Sequence, residues 1–268
     1  MNIAWATDIH FNFADDSHRR ALYDEIIAAQ CDAVLITGDI GEAQNFDTYL
    51  RLIHSKTGKQ LYYVLGNHDF YTKSRLYSHT KATGLAVKSQ NNIRWLGWDR
   101  KAIQLTPECY LVGVDGWADG RYGDYKSSTI TMSDSIYIAD LAGSETRAEL
   151  LQSMQQLADQ DADKLKSQLE AAISHNATQI IVATHVPPFA AICRHRGNET
   201  DPEVLPFYSS KALGDVILDA ATQHPQITFK TYSGHTHGAC KLQLKENLYC
   251  SVGAAEYYIP QLVEVIEV

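Results

Sequence analysis

Short apolar runs that end in polar residues organise this sequence. Residues 61–65, which are bulky and partly aromatic, lead directly into Gly66-Asn67-His68-Asp69. An apolar run of this length that stops at a glycine predicts a buried strand of an α/β sheet. An amide, an imidazole and a carboxylate in succession are hard to explain by packing where a strand leaves the core. The sequence therefore predicts a functional site at this strand end.

The same pattern recurs at four other places. Apolar runs cover residues 3–7, 33–37, 179–184 and 227–232. The polar groups that follow them are Asp8 with His10, Asp39, His185, and His235 with His237. Because open α/β sheets bind ligands outside the carboxyl ends of their strands, these five strand ends predict one shared site.

Between these runs, apolar spacing and capping residues predict helices. They cover residues 15–30, 45–56, 73–83 and 209–224, with two helices in 145–175 that meet near 159–163. Further strands are predicted at residues 93–96 and 110–114, which either continue the first sheet or pair in a second sheet. Antiparallel strands of a second sheet are predicted at residues 241–245, 248–252 and 262–268.

Two stretches lack the helix–strand rhythm and predict loops around the site. Residues 117–144 are rich in glycine and tyrosine and predict a lid insert, because long irregular inserts in compact domains are usually functional. The proline pair after His185 holds the chain extended, and residues 186–207 predict a rim loop. With these inserts, the 268 residues are expected to form one domain.

Composition favours a folded protein that does not bind nucleic acid. The chain is 45% hydrophobic and 21% charged, which suits a sizeable core. Its net charge of −9 disfavours unaided contact with a phosphate backbone, which needs concentrated Lys and Arg. Two bound divalent cations would nevertheless add about four positive charges where an anionic substrate must sit.

Cysteine usage and the start of the chain predict a cytoplasmic location. The five cysteines are widely spaced without a Cys-x-x-Cys pair, which favours reduced thiols. The N-terminus enters the first predicted strand at once, so no signal peptide is expected. No apolar segment reaches 18 residues, so no membrane span is expected.

The polar groups at the strand ends are metal-binding types. Asp, His and Asn without cysteine suit divalent manganese, iron, zinc or nickel. Asp8 and His10 stand two apart on a backbone expected to be extended, so both side chains can point the same way; His235 and His237 repeat this spacing. Seven ligands exceed one tetrahedral zinc site and fit two metals about 3.5–4 Å apart that share a carboxylate.

Together, these blocks resemble those of the calcineurin-like metallophosphoesterase superfamily. The resemblance spans residues 8 to 237 and depends on five blocks in this order. It implies an α/β fold, a four-layer α/β/β/α sandwich with two mixed β-sheets flanked by helices. It also implies the ligands of a first metal, which are Asp8, His10, Asp39 and His237, and those of a second, which are Asp39, Asn67, His185 and His235, with Asp39 bridging.

The same resemblance implies catalysis. A hydroxide that bridges two divalent metals (Mn²⁺, Fe²⁺/Fe³⁺, Zn²⁺ or Ni²⁺) would attack phosphorus in a phosphomonoester or phosphodiester. His68 would be no ligand but the general acid that faces the leaving-group oxygen. Asp69 would orient the His68 imidazole and raise its basicity.

Several alternatives stay open at this point. A binding scaffold that keeps the fold without chemistry competes with the enzyme, and so does a nuclease, which the acidic charge disfavours. His195, flanked by Arg194 and Arg196, is either a substrate-phosphate contact or part of a solvated rim. The expected substrate is a small phosphorylated molecule, whose identity the sequence leaves open together with the oligomeric state.

Overall fold

The computed structural model of the protein describes residues 1–72, 92–98, 100–195 and 197–268. Over these ranges the chain forms two large β-sheets packed face to face, with helices covering both outer faces. This is the α/β/β/α arrangement that the family resemblance implies. The helix predicted at residues 73–83 lies outside the described residues.

Thirteen strands and six helices are described. The strands are β1 (Asn2–Ala6), β2 (Ala33–Thr37), β3 (Gln60–Val64), β4 (Ile93–Trp95), β5 (Ile103–Gln104), β6 (Cys109–Gly113), β7 (Gln179–Ala183), β8 (Arg194–His195), β9 (Asn198–Glu199), β10 (Thr228–Ser233), β11 (Cys240–Lys245), β12 (Leu248–Val252) and β13 (Glu264–Glu267). The helices are α1 (Asp16–Ala28), α2 (Phe46–Thr57), α3 (Asp134–Tyr137), α4 (Ala139–Ala142), α5 (Arg147–Ser174) and α6 (Lys211–Gln223).

Each large sheet has a parallel centre and an antiparallel edge. The first has the order β13-β1-β2-β3-β4, and only β13 runs antiparallel to its neighbour. The second has the order β11-β12-β10-β7-β6-β5, in which β5 and β11 are the antiparallel edges. Parallel strands end on the same side of a sheet, so β1, β2 and β3 deliver their following residues to one edge, as do β7 and β10.

Alternating side chains on the central strands divide the core into layers. In β1, Ile3 and Trp5 pack between the sheets, whereas Ala4 and Ala6 face the helical side. In β7, Ile181 faces the other sheet and Ile180 faces the helices. Because such strands are buried on both faces, they appear in the sequence as continuous apolar runs.

Two predicted elements are wrong. Residues 147–174 form one helix, α5, with a capping box at Thr146 and Glu149, rather than two helices. The acidic stretch near its middle does not interrupt the helix, because the Asp161 carboxylate is buried and accepts hydrogen bonds from Lys164 and the Gly116 amide. The C-terminal strand β13 pairs with β1 in the first sheet, not in the second.

The insert at residues 117–144 is packed onto the core. Its chain carries only the short helices α3 and α4, yet Trp117, Tyr125 and Leu141 are buried in the cluster that includes Met154 of α5. In the stretch 186–207, β8 and β9 form a small hairpin. Within the described ranges, no helix combines the length and apolar character needed to cross a membrane.

Candidate metal centre

The predicted site residues follow strand ends of both sheets. In the first sheet, β1 leads to Asp8 and His10, β2 to Asp39, and β3 to Asn67 and His68; in the second, β7 leads to His185, and β10 to His235 and His237. The side chains of the seven predicted ligands meet across the joined edges of the sheets.

The backbone at these residues is left-handed rather than extended. Positive φ angles occur at Asp8 (48°), His10 (39°), Asp39 (52°), His235 (66°) and His237 (55°). The expectation that Asp8 and His10 share a face of an extended backbone is therefore wrong. Non-glycine residues rarely adopt this conformation, and such strain gathers at functional sites, where the surrounding structure holds it.

Hydrogen bonds between neighbouring loops hold this conformation. The Asp8 amide donates to the Gly38 carbonyl at 3.1 Å, and the His10 amide donates to the Asp39 carbonyl at 2.9 Å. The pairing of β1 with β2 thus continues past both strand ends. The loops that carry the first ligands are fixed to each other by main-chain bonds.

Two motif glycines are needed because carboxylates pass close to them. A β-carbon at Gly66 would overlap the Asp39 carboxylate, and one at Gly234 would overlap the Asp8 carboxylate. Neither glycine is among the residues with positive φ. Their role is to admit the carboxylate of a neighbouring candidate ligand.

The first group of donors consists of Asp8, His10, Asp39 and His237, whose ligand atoms lie within 4.8 Å of one another. Nε2 of His10 and Nε2 of His237 are 3.2 Å apart. Nε2 of His237 is 3.3 Å from Oδ1 of Asp8. Two imidazole nitrogens and two carboxylates that converge in this way suit a divalent cation. We call these four residues the first group.

The second group consists of Asp39, Asn67, His185 and His235. The Nδ1–H of His185 donates to the Thr37 carbonyl at 2.9 Å, so in the neutral ring Nε2 carries a lone pair. That Nε2 lies 3.0 Å from Oδ1 of Asn67 and 3.3 Å from Oδ1 of Asp39. At these distances either a proton on Nε2 of His185 or a metal cation between the three atoms would stabilise the arrangement.

His235 completes the second group by the same logic. Its Nε2–H donates to the Phe207 carbonyl at 3.0 Å. Its Nδ1, which carries the lone pair in the neutral ring, then lies 3.0 Å from Oδ1 of Asn67. The donor sets of both groups therefore fit divalent metal ions.

The Asp39 carboxylate stands between the groups. Its Oδ2 is 3.6 Å from Nε2 of His10 in the first group. Its Oδ1 is 3.3 Å from Nε2 of His185 in the second. One carboxylate thus offers a separate oxygen to each group, and it is almost completely buried.

The amide of Asn67 is oriented by the insert. Its Nδ2 donates to Oδ1 of Asp134, on α3, at 2.9 Å. The same Asp134 oxygen accepts a hydrogen bond of 2.5 Å from the Tyr71 hydroxyl. With Nδ2 engaged in this way, Oδ1 of Asn67 points at the second group. Asp134 is therefore a positioning residue for a candidate ligand.

Electrostatics act on the protonation states of the donors in both directions. Burial opposes ionisation of Asp8, but the hydrogen bond from His237 and the charge of His185 hold the pKa of its carboxyl below the usual range. Burial lowers the pKa of His10 to about 4 and also lowers that of His235. Carboxylates and neutral imidazoles are the forms that bind metals, and these shifts favour them at Asp8, His10 and His235. At His185 and His237 burial opposes the charged ring, but the carboxylates of Asp39 and Asp8 respectively outweigh it and raise both pKa values.

Asp69 does not lie where the sequence places it. Its carboxylate accepts hydrogen bonds from the backbone amides of Ile40, Gly41 and Gly66, at 2.9 to 3.2 Å. It therefore joins the loops after β2 and β3 and is not bonded to the His68 ring. Burial, reinforced by the charge of Asp39, raises the pKa of Asp69 to about 8.

His68 stands at the edge of the groups. Its Nε2 is 3.9 Å from Oδ2 of Asp39, and its ring stacks on Tyr71 with centroids 4.4 Å apart. Nδ1 of His68 has no hydrogen-bond partner among the described residues. The ring is thus held by aromatic contacts rather than by a carboxylate.

A cleft of about 560 Å³ opens over the groups. Apart from the site residues, its walls come from the insert (residues 131–133), from His195 and Tyr208, and from Tyr257. His195 therefore faces the cleft. The Arg194 guanidinium donates to the Ala191 and Cys193 carbonyls, and residue 196 lies outside the described residues.

Comparison with known protein families decides the assignment. The family model for calcineurin-like phosphoesterases matches residues 1–239. This range covers most of the chain and all the residues of both groups. The chain belongs to the calcineurin-like phosphoesterase family. It is therefore a metal-dependent phosphoesterase, as the sequence predicts.

Solved structures show that this phosphoesterase shares its fold with distant relatives. A dimetal phosphatase from Danio rerio is 13% identical, with a TM-score of 0.54 over 95% of this chain and 87% of that one. Phosphopantetheinyl hydrolase (PptH) from Mycobacterium tuberculosis is 11% identical, with a TM-score of 0.64 over 96% and 90%. Identities this low speak for the fold alone. Among curated protein sequences, none matches the chain.

Sequence reasoning missed two residues of the phosphoesterase site. Asp134 lies in an irregular insert, where no spacing rule connects it to Asn67. Tyr257 could have been found, because it follows β12, which is parallel to β10 and ends at the same edge. Its ring centroid is 4.6 Å from that of His10.

Proposed function

We propose that the phosphoesterase hydrolyses small phosphomonoesters or phosphodiesters at a centre of two divalent metal ions. The observation that carries the proposal is the division of the Asp39 carboxylate, with one oxygen in each donor group. A shared carboxylate is the expected arrangement of a two-metal hydrolytic site.

In this proposal the first group holds one ion and the second group holds the other. Asp8, His10 and His237 serve the first, Asn67, His185 and His235 serve the second, and Asp39 serves both. Manganese, iron, zinc and nickel all suit these oxygen and nitrogen donors. The ions, when bound, would activate water and neutralise charge that develops on the phosphoryl oxygens.

His68 takes the role of proton donor to the leaving group. It lines the cleft beside both groups but belongs to neither, and its Nε2 is the ring nitrogen that faces Asp39. Proton donation to the leaving-group oxygen by a positioned imidazole is typically worth about 100- to 10,000-fold in rate. Asp69 contributes by joining the two loops, not by polarising His68.

The substrate is inferred to be small. The cleft holds about 560 Å³, and the insert at 117–144 and the loop at 186–207 both contribute walls. These segments are the parts of the chain that would select among substrates, with the insert acting as the lid. All five cysteines are free thiols, which supports the placement in a reducing compartment such as the cytoplasm.

The decisive experiment replaces His68. In the manganese-supplemented enzyme we expect His68→Ala to lose about 100-fold or more in turnover of aryl phosphate mono- and diesters while it keeps its bound metal. Elemental analysis measures the metal, and His175→Ala, an exposed histidine at the end of α5, is the matched control. Unchanged turnover in His68→Ala would remove the assigned acid. Inactivity of the wild type across a panel of phosphate esters, with metal bound, would instead favour a binding scaffold.

A further inference from the structure

Exposed aromatic side chains stand beside the metal centre. Phe13, Tyr257 and Tyr258 form what we call the aromatic rim, with exposures of 39%, 40% and 61%. The Phe13 ring is 5.3 Å from that of Tyr257, perpendicular to it, and 6.0 Å from that of Tyr258. Tyr257 also contacts the ring of His237, 5.0 Å away. The rim thus extends from the donor groups to the surface of the protein.

Tyr258 is held in a strained backbone conformation. The Ile259 amide donates to the Glu256 carbonyl at 3.2 Å, which makes Tyr257 and Tyr258 the central residues of a tight turn. The φ angle of Tyr258 is 75°, a value that this turn position normally reserves for glycine or asparagine. A bulky residue there is a true outlier.

The fold gains little from this strain. The Tyr258 ring is mostly exposed, so buried packing does not compensate for the conformation. Residues kept in such conformations cluster at ligand clamps and active sites. The strain at this exposed aromatic residue, whose ring contacts Phe13 in the lining of a groove beside the cleft, therefore points to a contact with a ligand.

The rim lies on the side of the proposed proton donor. The centroids of His68 and Tyr257 are 6.4 Å apart. Beyond His68, a groove of about 290 Å³ continues from the cleft, and its lining includes Phe13, Tyr71 and Tyr137. A leaving group that accepts a proton from His68 would extend over this aromatic surface.

We propose that the aromatic rim binds a planar aromatic part of the substrate's leaving group, such as an aryl ring or a nucleobase. The inference rests on the proposed function for the direction of the leaving group. Offset or edge-to-face contact between aromatic rings contributes beyond simple burial, because the ring edge is positive and the face negative. A saturated ring of the same size lacks this contribution.

The test compares two non-hydrolysable ligands, one with a planar aromatic ring and one with a saturated ring of similar size. Benzylphosphonate and cyclohexylmethylphosphonate are titrated into the manganese-loaded protein in a calorimeter. We expect the benzyl compound to bind about three- to tenfold more tightly, although the cyclohexyl ring is the more apolar. In Phe13→Leu and in Tyr258→Asn this ratio should fall to about one.

A matched control separates strain relief from ligand contact. Gln30 is exposed, has a φ of 50°, and follows α1 at the sheet edge opposite the site. Asparagine tolerates this conformation, so Gln30→Asn and Tyr258→Asn should both raise Tm. Only Tyr258→Asn should change the affinity ratio.

Three results would overturn the inference: equal affinity for the two phosphonates, a ratio that survives both rim variants, or a lower Tm in Tyr258→Asn, which would mean that the ring supports the fold. Turnover is measured separately with benzyl phosphate and its methyl diester. Failure to hydrolyse them with the binding ratio intact would contradict the proposed function and leave the rim assignment standing.

Discussion

The two donor groups are built in different ways. In the first, Asp8, His10 and His237 all sit on left-handed backbone, and main-chain bonds between loops fix their positions. In the second, Asp39 and His235 also lie on left-handed backbone, but Asn67 has an ordinary φ of −62°, and Asn67, His185 and His235 are aimed by hydrogen bonds of their side chains. The first group thus depends mainly on backbone geometry, whereas the second also depends on side-chain partners elsewhere in the chain.

This difference has a physical consequence. A backbone-set group cannot adjust without breaking the loops that carry it, so it resists change and tolerates few substitutions. A group aimed by side-chain hydrogen bonds can be weakened by removing a single partner, even one that never touches the metal. The second group should therefore be the more easily tuned of the two.

The largest effect should come from removing the carboxylate that the two groups share. Asp39→Asn takes the shared charge from both groups, so we expect bound metal to fall well below two ions per chain and turnover to fall at least about a thousandfold. Elemental analysis and steady-state kinetics measure these changes. Asp219→Asn, an exposed carboxylate on α6, is the control. An Asp39→Asn enzyme that retained two metals would refute the shared role.

Removing the partner of Asn67 should affect the second group selectively. Asp134→Ala frees the Asn67 amide to rotate, and loss of a group that orients a ligand typically costs about 10- to 100-fold in metal affinity. Calorimetric titration of metal-free protein should show one weakened site and one unchanged site.

Two more conservative variants should cause smaller losses of metal affinity. Asp134→Asn keeps an acceptor oxygen for Asn67. Tyr71→Phe removes a donor to Asp134 and a 3.2 Å acceptor of Asn67 Nδ2 but leaves the Asp134 carboxylate in place, so both variants should cost less than Asp134→Ala. Equal weakening of both metal sites would contradict the selective dependence of the second group on the insert.

The rigidity of the first group is tested at Gly234. In Gly234→Ala, the β-carbon displaces the Asp8 carboxylate, so unfolding free energy should fall by about 1–3 kcal/mol and the first metal should bind more weakly. Gly143→Ala is the matched control, because no atom lies within 4 Å of its added β-carbon. Urea denaturation compares the two. A stable Gly234→Ala protein would show that the loops of the first group can yield.

A further effect, on the pH dependence of stability, concerns a buried carboxyl behind the second group. Oδ1 of Asp115 accepts hydrogen bonds from the Leu65 amide and the Trp95 indole. The backbone carbonyl of Asp115 accepts a hydrogen bond from the backbone amide of His185. Burial, together with the charge of Asp161, raises the pKa of Asp115 to about 7. Between pH about 4 and 7 the folded state keeps a proton that the unfolded state loses, so stability should fall as pH rises, by up to about 1.4 kcal/mol per pH unit.

Asp115→Asn keeps the acceptor oxygen and cannot ionise. The difference in unfolding free energy between metal-free wild type and variant should therefore change across this window and become constant above pH about 7. Parallel profiles for the two proteins would contradict the shifted pKa.

Much of the fold could be predicted because strand ends leave a local signal. Buried parallel strands are continuous apolar runs, and β2 and β12 have the bounds that the pattern predicts. The convergence of Asp8 with His237 follows from the topology rule, not from their separation in sequence. The pattern thus locates both the strands and the polar residues that follow them.

The features that the sequence pattern did not predict depend on contacts that produce no periodic arrangement of residues. The partner of Asp69 is main-chain N–H, which sequence letters do not reveal. Asp134 contacts Asn67 from an irregular insert, where no pattern connects the two residues. In α5 the sequence predicted a break near residues 159–163, because the hydrogen bonds that the buried Asp161 accepts cannot be predicted from the sequence. Side-chain hydrogen bonds between distant segments were the part that pattern reasoning could not supply.

The separation of Asp8 from His237 along the chain also constrains how the protein is made. A growing polypeptide completes Asp8 and His10 first and cannot close the first group until His237 has left the ribosome. A domain generally folds as a unit, and β1 of the first sheet pairs with the C-terminal strand β13, so neither that sheet nor the first group is complete until the end of the chain has been made. Metal capture by the first group is consequently a late event in biogenesis.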